Sequence, residues 1–148
     1  MAAEACPGLR GMMKLLLFYA HSFAYETAAK SLATVPEVKK KECVSDAVVI
    51  FFHVEAEDVE KSSKVVQKFV KNVKWLCGKF AVKNVVLHSF NHLSGSKADA
   101  EFSKAVLDEV AERLARTGFA VMMTPFGYFN EFTIHVAGDS LAKVFKEF

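Results

Sequence analysis

Two nearly continuous apolar runs constrain the fold of this chain more than any other feature of its sequence. Residues 15–19 and residues 47–54 consist mainly of leucine, valine, isoleucine and phenylalanine. Runs of this kind, without alternation between apolar and polar positions, are typical of strands that are covered on both faces. They therefore predict two strands in the middle of a sheet.

The remaining periodicity predicts helices that alternate with strands. Apolar residues recur at helical spacing in residues 58–80, and a capping pattern at Ser96 and Asp99 predicts the start of a second helix. Short strands are predicted at residues 85–87, 119–123 and 132–136, and a short final helix at residues 140–148. This alternation implies an α/β fold with a mixed sheet and crossover helices, in which the last two strands are expected to be antiparallel.

Length and composition fit a single domain. At 148 residues and 52% hydrophobic content, the chain can form one apolar core. Residues 1–12, which contain Pro7, Gly8 and Gly11, are predicted to be a loose N-terminal extension, and residues 13–148 to be the folded domain. The last predicted element stops abruptly, so this domain could be part of a longer chain.

Cysteine usage and hydropathy predict a cytoplasmic protein. The three cysteines are odd in number and far apart, which suits reduced thiols better than a disulfide framework. The apolar stretch at residues 15–20 is too short for a membrane span, which needs roughly 20 residues. We therefore expect a soluble protein without a membrane partner.

A formal net charge of +2 argues against broad binding to a nucleic-acid backbone, so any RNA contact should be local. The densest basic cluster consists of Lys39, Lys40 and Lys41, in a predicted exposed connection at residues 34–43. Two interpretations of this cluster stay open, because it suits either an ordinary solvated loop or a loop that contacts phosphates.

The common catalytic motifs are absent from the sequence. It contains no GxSxG elbow, Walker loop or GxGxxG turn. His88 and His92 are four residues apart, but they fall on a predicted strand end and the loop after it, and no cysteine cluster accompanies them. We therefore expect no metal site.

Loops beyond the carboxyl ends of parallel strands are the expected position of a ligand. The loop at residues 89–94 offers a ring, an amide, an imidazole and hydroxyls just before a helix, which suits an anionic or nucleotide ligand. The aromatic segment at residues 126–129 could stack a base. Structural alternatives stay open, since His92 could merely cap its loop and the aromatic turn could plug the core.

Three segments together resemble a known family: residues 13–18 with Tyr25 and Glu26, Phe-Asn-His-Leu-Ser at residues 90–94, and Pro-Phe-Gly-Tyr at residues 125–128. They are similar to the N-terminal editing domain of archaeal threonyl-tRNA synthetases. The resemblance covers nearly everything after residue 12. It implies the fold of D-aminoacyl-tRNA deacylases.

This resemblance implies the removal of L-serine from mischarged seryl-tRNA(Thr) by hydrolysis. An aminoacyl ester is already activated, so a positioned water and oxyanion donors suffice. The family implies that backbone groups and the terminal ribose hydroxyl of the tRNA assist the water, without a cofactor. Its catalytic positions correspond to Phe126, Gly127 and Tyr128, which act through their backbone or local positioning. Its substrate-binding positions correspond to Val54, Phe90, Asn91, His92, Phe129 and Asn130.

The resemblance also implies partners. These are the 3′-terminal adenosine of tRNA(Thr) carrying serine, a threonyl-tRNA synthetase catalytic domain in cis or in trans, and a second copy of the chain in a homodimer.

Three positions depart from the family pattern. Some relatives continue with Tyr-Lys where this chain has Phe129 and Asn130, and some carry a carboxylate at the position of Lys143. A universal catalytic lysine is therefore untenable here. Two alternatives stay open, namely a D-aminoacyl-tRNA deacylase with the same fold and a tRNA-binding module without catalysis.

Overall fold

The computed structural model describes residues 13–95 and 97–148. Its main elements are β1 (Lys14–Lys30), β2 (Lys41–His53), α1 (Ser62–Phe80), β3 (Asn84–Ser89), α2 (Ala100–Arg116), β4 (Ala120–Met123), β5 (Tyr128–Val136) and β6 (Lys143–Glu147). Short 3-10 turns at Ala56–Lys61 and Ser140–Ala142 precede α1 and β6. The predicted extension at residues 1–12 and the Ser96 part of the capping pattern lie outside the described residues.

The six strands form one mixed sheet, which confirms the predicted α/β class. The strand order is β4-β3-β2-β1-β5, and β6 also pairs with β1. β2, β3 and β4 are parallel, whereas β1 is antiparallel to β2, β5 and β6. α1 connects β2 to β3, and α2 connects β3 to β4. Both apolar runs therefore lie on central strands, as their composition predicts.

The long first strand makes the sheet curl. β1 pairs with β2 along one edge, while its other edge pairs with β6 at residues 14–18 and with β5 at residues 20–30. Through the strand register, the end of β4 is level with Leu17 of β1, whereas the start of β5 pairs with Lys30. Those two levels are roughly 43 Å apart along a flat strand. The connection at residues 124–127 can span only about 18 Å, so the sheet must fold over.

Each face of the sheet has its own apolar layer. Leu15, Leu17 and Ile50 point to the side that α1 and α2 cover, where Phe69 and Leu114 are fully buried. The opposite side forms a second cluster of Ala20, Phe23, Tyr25, Ala47, Val49, Phe51 and Val86. Successive side chains of a strand alternate between faces, so a run that is apolar throughout supplies both layers.

The predicted helix at residues 140–148 is wrong. The chain forms a 3-10 turn and then β6, in which Lys143, Phe145 and Glu147 are exposed while Val144 and Lys146 are half-buried. Alternation of this kind belongs to a strand. The first half of β1 offers an edge of backbone hydrogen-bonding groups, and pairing with that edge favours the extended conformation.

The two strands predicted at residues 119–123 and 132–136 correspond to β4 and β5, and the antiparallel pairing predicted between them is also wrong. β4 pairs in parallel with β3 at one end of the strand order, and β5 pairs with β1 at the other end. They form no hairpin, because the whole width of the sheet lies between them in the strand order. The segment between these strands therefore bridges the two ends of the curled sheet.

Asp46 lies at an interruption of the β1–β2 pairing. The register runs from Ala20 opposite Ala47 to Ser22 opposite Ser45, and Asp46 between them has a φ of 50°. A residue with a β-carbon pays about 1 to 2 kcal/mol for this left-handed conformation, and glycine does not.

We expect Asp46→Gly to be more stable than Asp46→Val by about 1 to 2 kcal/mol, because only glycine adopts the left-handed backbone without strain. Urea unfolding of both variants measures this difference. Ser45 is the matched control, since it is an exposed neighbour without a left-handed backbone. At Ser45, the valine variant should be more stable than the glycine variant. If glycine or valine is the more stable replacement at both positions, the left-handed backbone at Asp46 does not determine the difference.

Candidate functional site

A cavity of about 500 Å³ lies where the loops after β3 and β4 meet. It is lined by the end of β3 and the following loop, by the start of α2, by residues 124–130, and by Ser31 and Leu32 after β1. The loops after β3 and β4 follow the carboxyl ends of parallel strands, the usual position of a ligand in such sheets. The curl of the sheet closes the cavity, because it returns the far end of β1 to this edge.

The end of β2 holds the loop that carries His92. Three backbone N–H groups of this loop donate to acceptors at the end of β2. The hydrogen bonds are Phe90 N–H to Phe52 C=O (2.9 Å), Leu93 N–H to His53 Nδ1 (3.2 Å) and Ala98 N–H to Val54 C=O (2.9 Å). Val54 itself is only 1% exposed and does not line the cavity. Its contribution is therefore the carbonyl that fixes Ala98.

Asn91 and His92 present exposed side chains to the cavity, whereas Phe90 lies behind them. The ring of Phe90 packs against the ring of Phe51 at 5.2 Å and edge-on against the ring of His92 at 4.9 Å between centroids. Phe90 thus orients the imidazole of His92 and does not line the cavity itself. An exposed imidazole held in this way can contact a ligand.

The start of α2 contributes positive charge to one wall. The Asp99 carboxylate caps the helix by accepting the Phe102 N–H at 2.8 Å. A second helix does begin here as predicted, but Asp99 is its N-cap and not the third helical residue that the capping pattern at Ser96 and Asp99 implies. Ala100 and Ser103 of the first turn line the cavity, and so does the exposed Lys97. A helix N-terminus carries partial positive charge and favours anionic groups.

Gly127 shapes the turn between β4 and β5. Its φ is +81°, and a β-carbon at this position would lie 2.5 Å from Val35 Cγ1. Both facts require glycine. Its carbonyl accepts hydrogen bonds from the N–H groups of Ser31 (2.7 Å) and Leu32 (3.2 Å). Within the described part of the chain, the N–H groups of Phe126 and Gly127 have no protein acceptor, so they can donate to a ligand.

The hydroxyl of Tyr128 is engaged with the segment after β1. It accepts a hydrogen bond from the Val38 N–H at 2.7 Å and donates one to the Pro36 carbonyl. These bonds tie residues 36–38 to the turn. Because its hydroxyl is occupied, Tyr128 contributes to the cavity with its ring and backbone.

His88 holds the other end of the same turn. Its Nδ1 lies 2.9 Å from the hydroxyl of Thr124, whose N–H donates to the Leu87 carbonyl at 3.1 Å. The imidazole is surrounded by the rings of Phe51 and Phe132, with centroids 4.9 and 5.1 Å away. Burial lowers the pKa of His88 to about 4, so the ring is neutral at pH 7.

Phe129 and Asn130 begin β5 at the cavity wall. Phe129 is 63% exposed. Asn130 presents a buried Oδ1 atom that has no hydrogen-bond partner among the described residues. A buried acceptor without a partner is rare, and Asn130 is one of the residues that line the cavity.

The sequence does not point to several residues that line the cavity, namely Ser31, Leu32, Lys97, Ala98, Ala100 and Ser103. Ser31 and Leu32 reach the cavity only through the curl of β1, which no motif or periodicity signals. Lys97 and Ser103 flank the helix start at Asp99, and their positions follow once that start is taken as part of a site.

Across residues 13–95 and 97–148, no group of three or more histidine, cysteine or acidic side chains is arranged to hold a metal ion. None of the helices described here is long and apolar enough to cross a membrane.

A family model called "Archaea-specific editing domain of threonyl-tRNA synthetase" matches residues 13–148. The chain belongs to this family. The threonine–tRNA ligases of Thermococcus onnurineus and Thermofilum pendens are 32% and 31% identical to the editing domain over 135 and 134 residues. Each of these matches covers 89% of this chain but only 22% of the ligase. The chain therefore spans about a fifth of the length of these relatives.

Solved structures support the fold of the editing domain. One is a c-Myc DNA unwinding element binding protein, with a TM-score of 0.58, 13% identity, and coverage of 91% of this chain and 97% of that chain. Another is a probable eukaryotic D-amino acid tRNA deacylase, with a TM-score of 0.55, 9% identity, and coverage of 93% and 98%. The predicted deacylase-like fold is confirmed.

The neutral His88 predicts a specific dependence of stability on pH. Its pKa is 6.5 in the unfolded chain and about 4 in the fold, so its contribution is complete above pH 6.5 and is lost as the pH falls through 4. The full loss is about 3 kcal/mol. We expect His88→Asn, which keeps a polar group near Thr124 without titrating, to lack this loss.

Urea unfolding of wild type and His88→Asn at several values between pH 7 and pH 4 measures the difference. Other titrating groups affect both proteins equally and cancel in the comparison. Parallel curves of unfolding free energy against pH would show that His88 is not a buried neutral group.

Proposed function

We propose that this editing domain hydrolyses L-serine from mischarged seryl-tRNA(Thr), with the esterified 3′-terminal adenosine in the cavity. The observation that carries the proposal is the meeting of the His92 loop and the Phe126–Gly127 turn at one cavity. These two segments are far apart in sequence, and each offers unoccupied polar groups. A volume of about 500 Å³ suits a nucleoside with a small amino acid, since ligand sites usually measure about 300 to 1,000 Å³.

The turn supplies the groups that hydrolysis of an activated ester needs. Attack by water creates an oxyanion, and backbone N–H groups aimed at this oxygen stabilise it. The free N–H groups of Phe126 and Gly127 are adjacent in a turn, an arrangement that binds anions. The positive end of α2 adds to the same field. The remaining assistance to the water is assigned to the terminal ribose hydroxyl of the tRNA, and no cofactor is required.

Selection of serine over threonine follows from size. One methyl group is worth roughly 1 kcal/mol, so a synthetic site alone discriminates poorly, and a second site corrects errors by admitting only the smaller product. In this cavity His92 is positioned to hold the serine moiety. We also assign Asn130, which lines the same cavity, to the substrate-binding side chains.

The proposal includes the partners of the domain. The substrate is the acceptor end of tRNA(Thr), and the ligases that the chain matches have room for a synthetic domain in the rest of their length. We place that catalytic domain in cis or in trans, the chain in a homodimer, and the reaction in the cytoplasm.

A second candidate is a D-aminoacyl-tRNA deacylase. The structural neighbour of that description shares the fold over 93% of this chain, and the ester substrate would be the same type of linkage. The two functions differ in which amino acid the cavity accepts, by size in one case and by handedness in the other.

The deciding experiment compares four substrates: seryl-tRNA(Thr), threonyl-tRNA(Thr), seryl-tRNA(Ser) and a D-aminoacyl-tRNA. We expect rapid release of serine from tRNA(Thr) and little release of threonine or of the D-amino acid, followed as free amino acid over time. Seryl-tRNA(Ser) is the control that shows whether the domain also distinguishes the tRNA. Cleavage of the D-aminoacyl ester alone would support the second candidate. Binding of tRNA without cleavage of any ester would identify a non-catalytic module.

Two side-chain variants test the division of labour in the cavity. We expect His92→Ala to lower kcat/KM for seryl-tRNA(Thr) about tenfold, the worth of one hydrogen bond, with an unchanged melting temperature because the side chain is exposed. Asn130→Ala should stay within about tenfold of wild type, because backbone and RNA groups perform the chemistry. A loss of several hundredfold in Asn130→Ala would reject that mechanism.

A further inference from the structure

A second groove of about 380 Å³ adjoins the cavity. Its walls are the end of β1, residues 37–41 and Tyr128, which lines both the groove and the cavity. Four lysines and two glutamates line it. The lysines are Lys30, Lys39, Lys40 and Lys41, and the glutamates are Glu26 and Glu37. In a chain with a net charge of only +2, this is a concentrated positive surface.

Two of these lysines are available for an external anion. Lys30 pairs with Glu37 at 2.8 Å, and Lys40 pairs with Glu42 at 3.1 Å. Lys39 and Lys41 are exposed and form no ion pair with any residue the structure describes. Exposed ion pairs contribute about 0 to 1 kcal/mol, so Lys30 and Lys40 can also turn to a stronger anion at little cost.

The lysine segment has a fixed position beside the cavity. On one side, the N–H of Val38 donates to the Tyr128 hydroxyl at 2.7 Å. On the other side, Lys40 and Thr27 are joined twice, by Thr27 N–H to Lys40 C=O and by Lys40 N–H to Thr27 Oγ1, each at 3.0 Å. Hydrogen bonds at both ends of the segment hold its charged residues in place. A loop that is only solvated does not need such bonds.

We propose that this groove binds the phosphodiester backbone of the RNA strand that leads to the esterified nucleoside. The inference rests on the proposed function, since it assumes that the terminal adenosine occupies the cavity. A nucleoside with its ester at the 3′ end has one connection to the rest of the RNA, through its 5′ oxygen. The lysine groove meets the cavity at Tyr128 and offers the charge that this strand carries. Contacts to phosphates fix position without reading sequence, so the groove holds any acceptor end.

The Lys39→Gln/Lys41→Gln double variant tests this site with ligands of increasing length. The RNA oligonucleotides CA, CCA and ACCA, which contain one, two and three phosphodiesters, probe binding. The compound 3′-O-seryl-adenosine, which has no phosphodiester, probes hydrolysis. We expect the loss of affinity to grow with the number of phosphodiesters and to reach about tenfold or more at 0.1 M salt. The slope of log affinity against log salt should fall by about 1.4, because each contact to a single strand contributes about 0.7. Hydrolysis of seryl-adenosine should not change.

The matched control is Lys64→Gln/Lys71→Gln, which removes the same charge from exposed positions of α1. An equal loss of affinity in both double variants, or no loss in either, overturns the proposal. A loss that appears equally with seryl-adenosine also overturns it, because the lysines would then serve the cavity itself. If wild type cleaves neither seryl-tRNA(Thr) nor seryl-adenosine, the proposed function fails, while length-dependent RNA binding through Lys39 and Lys41 still supports the groove.

Discussion

β1 pairs with β2 from Lys14 to Glu26, whereas its other edge is divided between β6 and β5. Backbone groups at a sheet edge need partners, and this division supplies them to both halves of a 17-residue strand. It also forces the second half to fold over, since β5 must begin close to the end of β4. The cavity, the strap of residues 31–38 across the turn and the lysine groove all result from this folding.

The cavity relies on backbone groups more than on reactive side chains. β2 ends in three acceptors that fix the His92 loop, and Gly127 uses its carbonyl to hold the strap. The buried hydrogen bond between His88 and Thr124 holds the start of the turn. Because these contacts hold the turn at both ends, its backbone N–H groups keep one orientation. Preorganised donors of this kind stabilise developing charge without reorganising during the reaction.

Sequence patterns predicted the interior of the sheet well because their signal is local. The run at residues 47–54 is apolar on both faces, and both of its faces are buried. β6 could not be predicted from local sequence. It becomes a strand only by pairing with the edge of β1, about 130 residues earlier in the chain. The separation of β4 from β5 could not be predicted for the same reason, because β5 pairs with the distant second half of β1. Pairing with a distant strand outweighs the local secondary-structure propensity of a short segment.

The site shows the same division between local and distant information. Asn91, His92 and the turn at residues 126–128 carry distinctive motifs, and the structure brings them to one cavity. Val54 and Phe90 were also predicted to bind substrate, but they support the loop from behind and do not line the cavity. Ser31, Leu32 and the anchoring of Tyr128 to Pro36 and Val38 depend on contacts across some 90 residues, which periodicity cannot detect.

The shared position of Tyr128 has a thermodynamic consequence. One ring separates the two compartments, and its hydroxyl holds the segment that carries the lysines. Any shift of this ring when one compartment is filled changes the free energy of filling the other. Such linkage is reciprocal, so whatever factor the strand adds to the affinity for the terminal ester, the ester adds to the affinity for the strand. Release of serine would then loosen the hold on the whole acceptor end and so favour departure of the corrected product.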